Sequence, residues 1–405
     1  MIRRFCISED GNYAAIFSIA MIPILTGVAG VVDFVNLSTD AAQLQDTLDT
    51  TALAIATKYH SGMSQADVRQ FGFDFFSANI HSIGASLDAD QTFGFQADAV
   101  VDGSVINVSA SAKITHQGFI AGPTTWQATR ASYVRFAPGQ AACVLALDAH
   151  ASDAVMIQGS TQVRLDGCVI ASNSDAADSV SRGGSAQLAA KCVSTVGSTN
   201  GLSASESDLD CGLPLEKQYP SLDPLAGVAP PAYGACKALP GGKTKTLSPG
   251  TFCDKTWSGE ITLDAGVYIL RGGQIKLGGN GMLFGHGVTI FLMEGAEFVS
   301  NANEVIDLSP SASGPYAGIT IFQEPGNAAA LTINGTSNSR VSGFVYAPSA
   351  HVFHAGNSDM AGSGECIRII GNTVEMTGNS TVNSDCDAEL AGRKMNAGRQ
   401  ILLIK

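Results

Sequence analysis

One short stretch of the sequence has residue types and spacing that suit a metal site. Residues 143–152 read CVLALDAHAS, an apolar run that ends in Asp148, with Ser152 four positions later. A metal-dependent adhesion site needs Asp, Ser and Ser at alternate positions, because their oxygens must converge on one hard divalent cation. Here His150 replaces the middle Ser, and hard cations such as magnesium prefer oxygen ligands. Because no helical pattern follows the loop, we predict that Asp148 and Ser152 form a degenerate, non-functional version of this site.

Two other sets of residues suggest chemistry, but their spacing does not support it. His351 and His354 are three positions apart, so on a strand they would face opposite sides. β-Helical hydrolases and lyases use paired carboxylates to cleave glycans. The repeat contains seven acidic residues whose spacing does not single out such a pair: Glu260, Asp264, Glu294, Glu297, Glu304, Asp307 and Glu324. The motifs G-x-S-x-G and H-E-x-x-H and the P-loop do not occur in the sequence. We therefore predict that the protein is not an enzyme and has no catalytic residue, cofactor or metal ion.

Composition and charge exclude one class of partner. The 405 residues carry a formal net charge of -13, and only 15% are charged. Binding to nucleic acid needs clustered Lys and Arg, so we predict no nucleic-acid partner. The sequence contains 45 Gly, with long tracts that mix Gly, Ser, Thr and Asn. This composition favours short strands and many turns over helical packing.

The N-terminal region contains a stretch long enough to cross a membrane. Between Asp10 and Asp33 lie twenty-two uncharged residues, and roughly 20 suffice to span a bilayer as a helix. Arg3 and Arg4 precede the stretch, and no Lys or Arg follows it until Lys58. The positive-inside rule therefore predicts a cytoplasmic N-terminus at 1–12, a transmembrane helix at 13–35 and an exported remainder. A cleaved signal peptide is the alternative, although the stretch exceeds the usual length of its apolar region.

The cysteines agree with export. Cys6 precedes the apolar stretch, and eight more follow it: Cys143, Cys168, Cys192, Cys211, Cys236, Cys253, Cys366 and Cys386. An even number of cysteines in an oxidising compartment predicts disulfides. Sequential pairing would close four loops of similar size, but other connectivities remain open. A zinc site is the alternative, and the absence of any C-x-x-C in the sequence argues against it.

The region from 36 to 137 is predicted to form a small α+β neck. Leu44, Leu48, Ala52 and Ile55 share one face of a helix. A second helix begins with an approximate capping box, Ser64-x-x-Asp67, and carries Val68, Phe71 and Phe75 on one stripe. The sequence from 100 to 106, VVDGSVI, then predicts a hairpin that turns at Asp-Gly.

The region from 138 to 395 contains a repeat. AGVYIL (265–270), HGVTIFL (286–292), AGITIF (317–322) and SGFVYAP (342–348) each place Gly before a short β-branched or aromatic run. A repeat length of roughly 20–30 residues predicts a right-handed parallel β-helix that is cross-linked by disulfides. A β-sandwich is the alternative. The Pro-rich segment 212–250 is predicted to be an insertion that leaves the solenoid, since Pro is excluded from central strands. Residues 396–405 are predicted to close the stack at its end.

The N-terminal residues resemble a known family. Arg4, Phe5, Gly11, Pro23 and Asp33, followed by LQDTLDTTALAIA (44–56) with Gln45 and Asp49, resemble the TadE/TadG-like family of Flp (tight adherence) pilus assembly proteins. The later runs SPGTFC, AGVYIL and SGFVYAP are similar to the Gly-rich exported domain of a TadG-related subset. Family members processed as pseudopilins have Glu at the fifth position after a Gly, where this sequence has Ile16 after Gly11, which argues against such processing.

The resemblance implies a single-pass protein of the bacterial inner membrane, with its bulk in the periplasm. It would act without enzymatic activity, as a periplasmic scaffold or envelope tether in Flp pilus assembly or secretion. Its partners would be the membrane and other Flp pilus assembly proteins, with cell-envelope glycan as a further candidate. The alternative function is that of a carbohydrate-binding or carbohydrate-cleaving β-helix exoprotein.

Overall fold

The N-terminal helix is longer than a bilayer is thick. In the computed structural model, α1 runs without a break from Asn12 to Lys58 and includes Pro23. Beside Pro23, the hydroxyl of Thr26 donates to the carbonyl of Ile22 at 3.0 Å. At about 1.5 Å per residue, α1 is about 70 Å long, whereas the hydrocarbon core of a bilayer is about 30 Å thick. More than half of α1 must therefore lie outside any membrane that it crosses.

The structure describes residues 12–59, 63–80, 94–102, 105–117, 125–356, 359–360, 365–379, 381–386 and 389–404. The chain divides into two units, Met1–Ala137 with Ile401–Lys405, and Pro138–Gln400. The division between residues 137 and 138 coincides with the end assigned to the neck from sequence.

The first unit combines the end of α1 with a second helix and an antiparallel sheet. Its elements are α2 (Gln65–Asn79), β1 (Gln96–Asp102), β2 (Val105–Gln117) and the first part of β3 (Thr125–Ala146). β2 pairs with β1 on one side and with β3 on the other. The antiparallel pairing of β1 and β2 confirms the hairpin, and Asp102 is the register partner of Val105. The predicted turn residue Gly103 lies outside the described residues.

The apolar faces of α1 and α2 form the core of this unit. Leu44, Leu48, Ala52 and Ile55 are fully buried, which confirms the predicted face of α1. The capping box of α2 is also present, since Asp67 accepts a hydrogen bond from the backbone N–H of Ser64 at 3.1 Å.

The predicted stripe of α2 is shifted. Its buried residues are Val68, Gly72 and Phe76, whereas Phe71 and Phe75 are only half-buried. A Cβ at Gly72 would lie 2.8 Å from Cδ1 of Ile55, so a glycine at this position lets the two helices approach closely.

The second unit consists of short strands in three parallel ladders. The first ladder runs, in spatial order, through Gly250–Cys253, Gly266–Arg271, Val288–Met293, Ile319–Gln323, Gly343–Gly356, Ile367–Met376, the end of β3, Gln162–Ser172 and Gln187–Thr195. The second runs through Thr256–Trp257, Gln274–Ile275, Glu297–Val299, Leu331–Gly335, the later parts of Gly343–Gly356 and Ile367–Met376, then Val155–Ile157, Val180–Arg182 and Thr199–Asn200. Parallel pairing confirms the predicted strand arrangement and rules out the sandwich alternative, whose sheets are antiparallel.

The third ladder comes in two runs. One runs through Thr244–Leu247, Glu260–Leu263, Met282–His286, Val305–Ser309 and Arg340–Val341. The other runs through Asp359–Met360, Thr381–Asp385, the early parts of Gln162–Ser172 and Gln187–Thr195, and Asp208–Leu209. Inward side chains of all three ladders, such as Val144, Val155 and Val163, meet in one buried apolar cluster.

The order along the ladders differs from the order along the chain. Val144, in the first strand of this unit, pairs with Ile369 from the C-terminal part on one side and with Ile170 on the other. The predicted start of the repeat at residue 138 would place the stretch around Cys143 at one end of the stack, but it lies in the interior of the first ladder. We call the contact between the strands before residue 216 and those after residue 243 the junction.

The Pro-rich segment connects the two ends of the first ladder. Residues 215–240, here called the strap, lie against the outer face of that ladder. At one end Asn173 bonds the backbone of Ser221 in both directions, at 2.7 and 3.0 Å. At the other end the N–H of Lys237 donates to the carbonyl of Thr251 at 2.7 Å. The prediction of an insertion that leaves the stack was therefore wrong, because the strap covers apolar side chains that would otherwise meet water.

The C-terminal segment also lies against this ladder. A short antiparallel hairpin, Glu389–Leu390 with Arg393–Lys394, precedes the strand Asn396–Ile404. The N–H of Ala142 donates to the carbonyl of Met395 at 2.8 Å. The segment therefore begins beside the interior of the first ladder and does not cap the end of the stack, as the sequence had suggested.

Candidate functional surfaces

The first half of α1 exposes apolar side chains around its whole circumference. Phe17 is 66% exposed, Ile19 71% and Phe34 69%. By length and composition α1 can cross a membrane. Soluble proteins rarely leave an apolar surface of this extent in water, and lipid is the solvent in which it carries no cost.

The structure divides the family-like residues into separate groups. Arg4, Phe5 and Gly11 lie outside the described residues. Pro23 lies within the exposed apolar half of α1, and Asp33 is buried at its end, although both of its neighbours are exposed. These positions therefore mark the apolar half and its boundary.

Gln45 and Asp49 have a structural role in the neck. The side-chain amide of Gln45 donates to Oδ1 of Asp49 at 2.7 Å and to the carbonyl of Ala131 in β3 at 3.2 Å. Because the pair is spaced by one helical turn, Asp49 orients the amide that joins α1 to the sheet. The sequence showed that Gln45 and Asp49 are four positions apart, but it did not indicate that Gln45 contacts β3.

Asp148 has both carboxylate oxygens engaged within the protein. Oδ1 accepts the backbone N–H groups of His150 and Ala151, at 2.9 and 2.8 Å. Oδ2 accepts the side-chain amide of Asn372 at 2.9 Å. The bond from the His150 N–H, with smaller contributions from Asn372 and Ala151, lowers the pKa of Asp148 below its ordinary value. Asp148 thus closes a turn and bonds across the junction.

The other residues of the degenerate motif do not assemble around Asp148. Ser152 is exposed. The ring of His150 turns towards the loop that follows the strand Gln162–Ser172, with Nδ1 3.0 Å from Oδ1 of Asp175. That hydrogen bond raises the pKa of the exposed His150.

The two histidines of AHVFHAG face opposite sides of their strand. His354 is buried beside the carbonyl of Ile333 at 3.0 Å, and burial lowers its pKa to about 4. His351 is partly exposed and lies 2.8 Å from the hydroxyl of Thr373 and 3.5 Å from Glu375. This confirms the prediction that the two side chains lie on opposite sides of the strand.

Several acidic residues of the repeat are held by structural contacts. Glu304 is fully buried and accepts the backbone N–H groups of Gly278 and Asn301, at 2.7 and 3.1 Å. Glu294 pairs with Arg271 at 2.6 Å. These two carboxylates satisfy backbone amides and a cation within the fold.

Four disulfides join cysteines that follow one another in sequence. The pairs are Cys143–Cys168, Cys192–Cys211, Cys236–Cys253 and Cys366–Cys386. The sulfurs of Cys143, Cys168 and Cys386 lie within 4.8 Å of one another, so two disulfides meet at the junction. Metal binding needs thiolates, whereas each of these sulfurs is bonded within one of the two disulfides.

Sequence reasoning missed one buried polar contact that holds the strap. The hydroxyl of Tyr346, in the first ladder, donates to Oδ2 of Asp223 at 2.8 Å. Burial raises the pKa of Asp223 above its ordinary value, against the opposing effect of the Leu225 N–H and of this hydroxyl. Asp223 lies 123 positions before Tyr346, so no local pattern could have paired them.

Together these features define a class, a mainly-β protein with parallel ladders and disulfides and with one long N-terminal helix whose first half exposes apolar side chains. Residues 11–57 match the model of the Tad family, described as Flp pilus-assembly TadE/G-like. The match covers the exposed half of α1 and the helical turn with Gln45 and Asp49. No curated protein and no solved structure matched the chain.

Proposed function

We propose that this protein is a single-pass component of the bacterial inner membrane that acts in Flp pilus assembly or secretion. It serves there without enzymatic activity, as a periplasmic scaffold or envelope tether. The observation that carries the proposal is the division of α1. Its first half is apolar all round and exposed, and its second half packs one face into a folded unit. The family match over 11–57 supports the pilus-assembly role.

The proposed topology places the N-terminus in the cytoplasm and both folded units in the periplasm. Arg3 and Arg4 before the apolar stretch support this orientation. The four disulfides also support it, because disulfides persist in oxidising compartments.

In this proposal the three ladders wind as a closed, right-handed parallel β-helix. All three ladders contribute inward side chains to one apolar cluster, which supports a closed solenoid. The right-handed rule for crossovers between parallel strands favours that hand. Such a solenoid is stiff because each turn buries the apolar face of the next, which suits a scaffold or spacer.

The structural contacts of Glu304 and Glu294 favour a non-enzymatic role over glycan cleavage. A catalytic pair would need two carboxylates that face one sugar across a cleft. Glycan binding without cleavage is compatible with the scaffold role and would supply the envelope contact of a tether.

Membrane anchoring can be tested with substitutions matched for exposure. Leu25 and Val28 in α1 are 58% and 56% exposed, and Val100 and Tyr133 in the neck are 55% and 54% exposed. We expect Leu25→Arg with Val28→Arg to release the protein from alkali-washed membranes, because each Arg in a bilayer costs about 3 kcal/mol. Val100→Arg with Tyr133→Arg should leave it in the membrane. Equal retention of both variants would refute the anchor.

Orientation and partnership need separate measurements. Protease added to spheroplasts should digest the bulk of the chain, and thiol alkylation before reduction should leave the eight exported cysteines unmodified. Crosslinking of the full-length protein in cells that assemble Flp pili should capture other pilus-assembly proteins. Recovery of no such protein, together with glycan cleavage by the purified chain, would overturn the proposal in favour of a carbohydrate-active exoprotein.

A further inference from the structure

A groove of about 550 Å³ opens on the outer face of the third ladder. Its floor is formed by side chains in two register rows. One row is Thr381, Gln162 and Gln187, and the other is Asn383, Arg164, Ala189 and Asp208. Because side chains alternate along a strand, the residues between them, such as Val163 and Leu188, point into the core. The floor is therefore polar, although the strands beneath it are apolar on their other side.

The rows present hydrogen-bonding groups at regular intervals. Neighbouring strands of a sheet lie about 4.8 Å apart, so Gln162 and Gln187 repeat the same amide at that spacing. Both side chains are exposed. In the second row, the short side chain of Ala189 lies between Arg164 and Asp208 and gives the groove its depth.

The wall of the groove is held in place by its own contacts. Glu206 accepts the N–H and the hydroxyl of Ser203, at 3.1 and 2.5 Å, and lies 3.7 Å from the guanidinium of Arg182. The Ser203 hydroxyl lowers the pKa of Glu206 below its ordinary value, which keeps the carboxylate charged. Little ordering of this wall is then needed when a ligand binds.

The charges of the groove exclude an anionic polymer. The guanidinium of Arg164 lies 3.4 Å from Asp166, while Asp208 and Glu206 add negative charge. A phosphate-rich or uronate-rich ligand would need an excess of cations. Among the described lining residues none is aromatic, so stacking does not contribute and recognition depends on hydrogen bonds.

The backbone of the groove floor at Gln162 and Gln187 is not open to a peptide added as a strand. The strand segments that carry Gln162 and Gln187 are each paired on both sides. Strand addition needs an unpaired edge. What remains exposed on the floor includes the repeated amides of Gln162 and Gln187, groups that both donate and accept, as sugar hydroxyls do.

We propose that this groove binds a neutral, hydroxyl-rich glycan strand that lies across successive strands of the third ladder. The proposal rests on the proposed export of this unit, since such polymers occur in the cell envelope. The groove also spans the junction, because Thr381 and Asn383 come from the C-terminal part of the unit and the other floor residues from its N-terminal part. The glycan site exists only when the two parts are stacked.

The test uses the full-length protein in detergent, with cellotetraose and chitotetraose as neutral probes and a tetragalacturonate as an anionic control. Binding is measured by saturation-transfer NMR and by calorimetry. We expect both neutral probes to bind and the uronate to bind at least tenfold more weakly. Ala189→Trp should fill the groove and reduce affinity at least tenfold. Ala226→Trp on the exposed surface of the strap is the matched control and should leave binding unchanged.

The amides provide a second test that does not add bulk. Gln162→Ala with Gln187→Ala should weaken binding at least fivefold, whereas Gln274→Ala on the second ladder should not. Melting temperatures of all variants report on folding, so the amide pair decides the outcome if Ala189→Trp does not fold. Absence of binding to both neutral probes, or unchanged binding in the amide pair, would overturn the glycan site. Membrane retention and pilus crosslinks are scored on the same variants, so a failure of the glycan site is distinguished from a failure of the proposed function.

Discussion

The first and third ladders share the same core but differ on their outer faces. In the first ladder, Val288–Met293 is buried at every position. In the third, Met282–His286 alternates between half-buried and buried positions and ends at an exposed His286. The two strands are joined by a single residue, so the difference arises from what covers them.

The first ladder is covered and the third is open. Outward residues of the first ladder, such as Phe291 and Tyr346, pack in a second apolar cluster with Leu225 of the strap and Met395 of the C-terminal segment. The third ladder leaves its polar outer side chains in water. The covered ladder therefore stabilises the unit, and the open ladder is the surface that can meet a ligand.

The largest loss of stability is expected when a buried aromatic side chain is removed from the covered outer face of the first ladder. Phe291 is fully buried against the strap side, whereas Phe284 is half-buried on the third ladder. Phe291→Ala should lower the free energy of unfolding by about 3–5 kcal/mol through transfer and cavity costs. Phe284→Ala should cost about 1 kcal/mol, since less apolar area is lost. Urea unfolding of both variants measures these losses. Equal losses of unfolding free energy would contradict the claim that the outer face of the first ladder is covered.

The strap itself should respond to the loss of its buried leucine. Leu225 is fully buried, while Leu213 is 59% exposed. Leu225→Ala should cost about 2–4 kcal/mol and loosen the strap. Trypsin should then cleave at Lys217 or Lys237 before the rest of the unit. Leu213→Ala is the control and should be cleaved at the wild-type rate. If both variants are cleaved alike, Leu225 does not hold the strap.

The stability of the junction should depend on the ionised carboxylate of Asp148. The folded pKa of Asp148 is lowered, so its contribution is present above the ordinary value of 3.8 and is lost as the pH falls through the folded pKa. Asp148→Asn should therefore cost about 1 kcal/mol near pH 7, and the difference from wild type should shrink in acid. Thermal unfolding between pH 3 and pH 7 measures both effects. Asp210→Asn, at an exposed position, should show neither effect, and a difference that persists at low pH would refute the role of the charge.

The smallest effect is expected at Asp223, with the opposite pH dependence. Burial raises the folded pKa of this carboxyl, so its contribution is fullest below the ordinary value of 3.8 and is lost as the pH rises through the folded pKa. Asp223→Asn should raise stability slightly at pH 7, by less than about 1 kcal/mol, because an amide is buried at lower cost. Strap cleavage by protease across pH provides the measurement. If protease cleaved the wild-type strap faster in acid than at pH 7, the predicted direction of this pH dependence would be wrong.

Local patterns predicted much of the fold. The period of Leu44, Leu48, Ala52 and Ile55 identified the buried face of α1, and Gly before β-branched runs identified the strands of the first ladder. The sequence also showed that His150 stands where an adhesion site has its middle Ser. What Asp148 does instead depends on Asn372, which lies 224 positions away.

The order of the strands could not be predicted, because each strand of the repeat carries a similar apolar pattern. Many pairings therefore bury similar area, and the chain gives no local signal that Val144 belongs beside Ile369. The Pro-rich composition of the strap indicated a segment that is not a central strand. It did not indicate that the segment returns along the first ladder, because that path depends on Leu225 and on the contact between Asp223 and Tyr346.

The sequence alone determined the apolar helix and the strand repeat, since these follow from hydrophobicity and backbone preference within a few residues. Only the tertiary structure decided that the C-terminal strands stack on the N-terminal ones, that the strap covers the first ladder, and that a polar groove spans the junction. Those features depend on which of many similar surfaces meet. That choice is made by shape and by buried polar contacts between residues far apart in the chain.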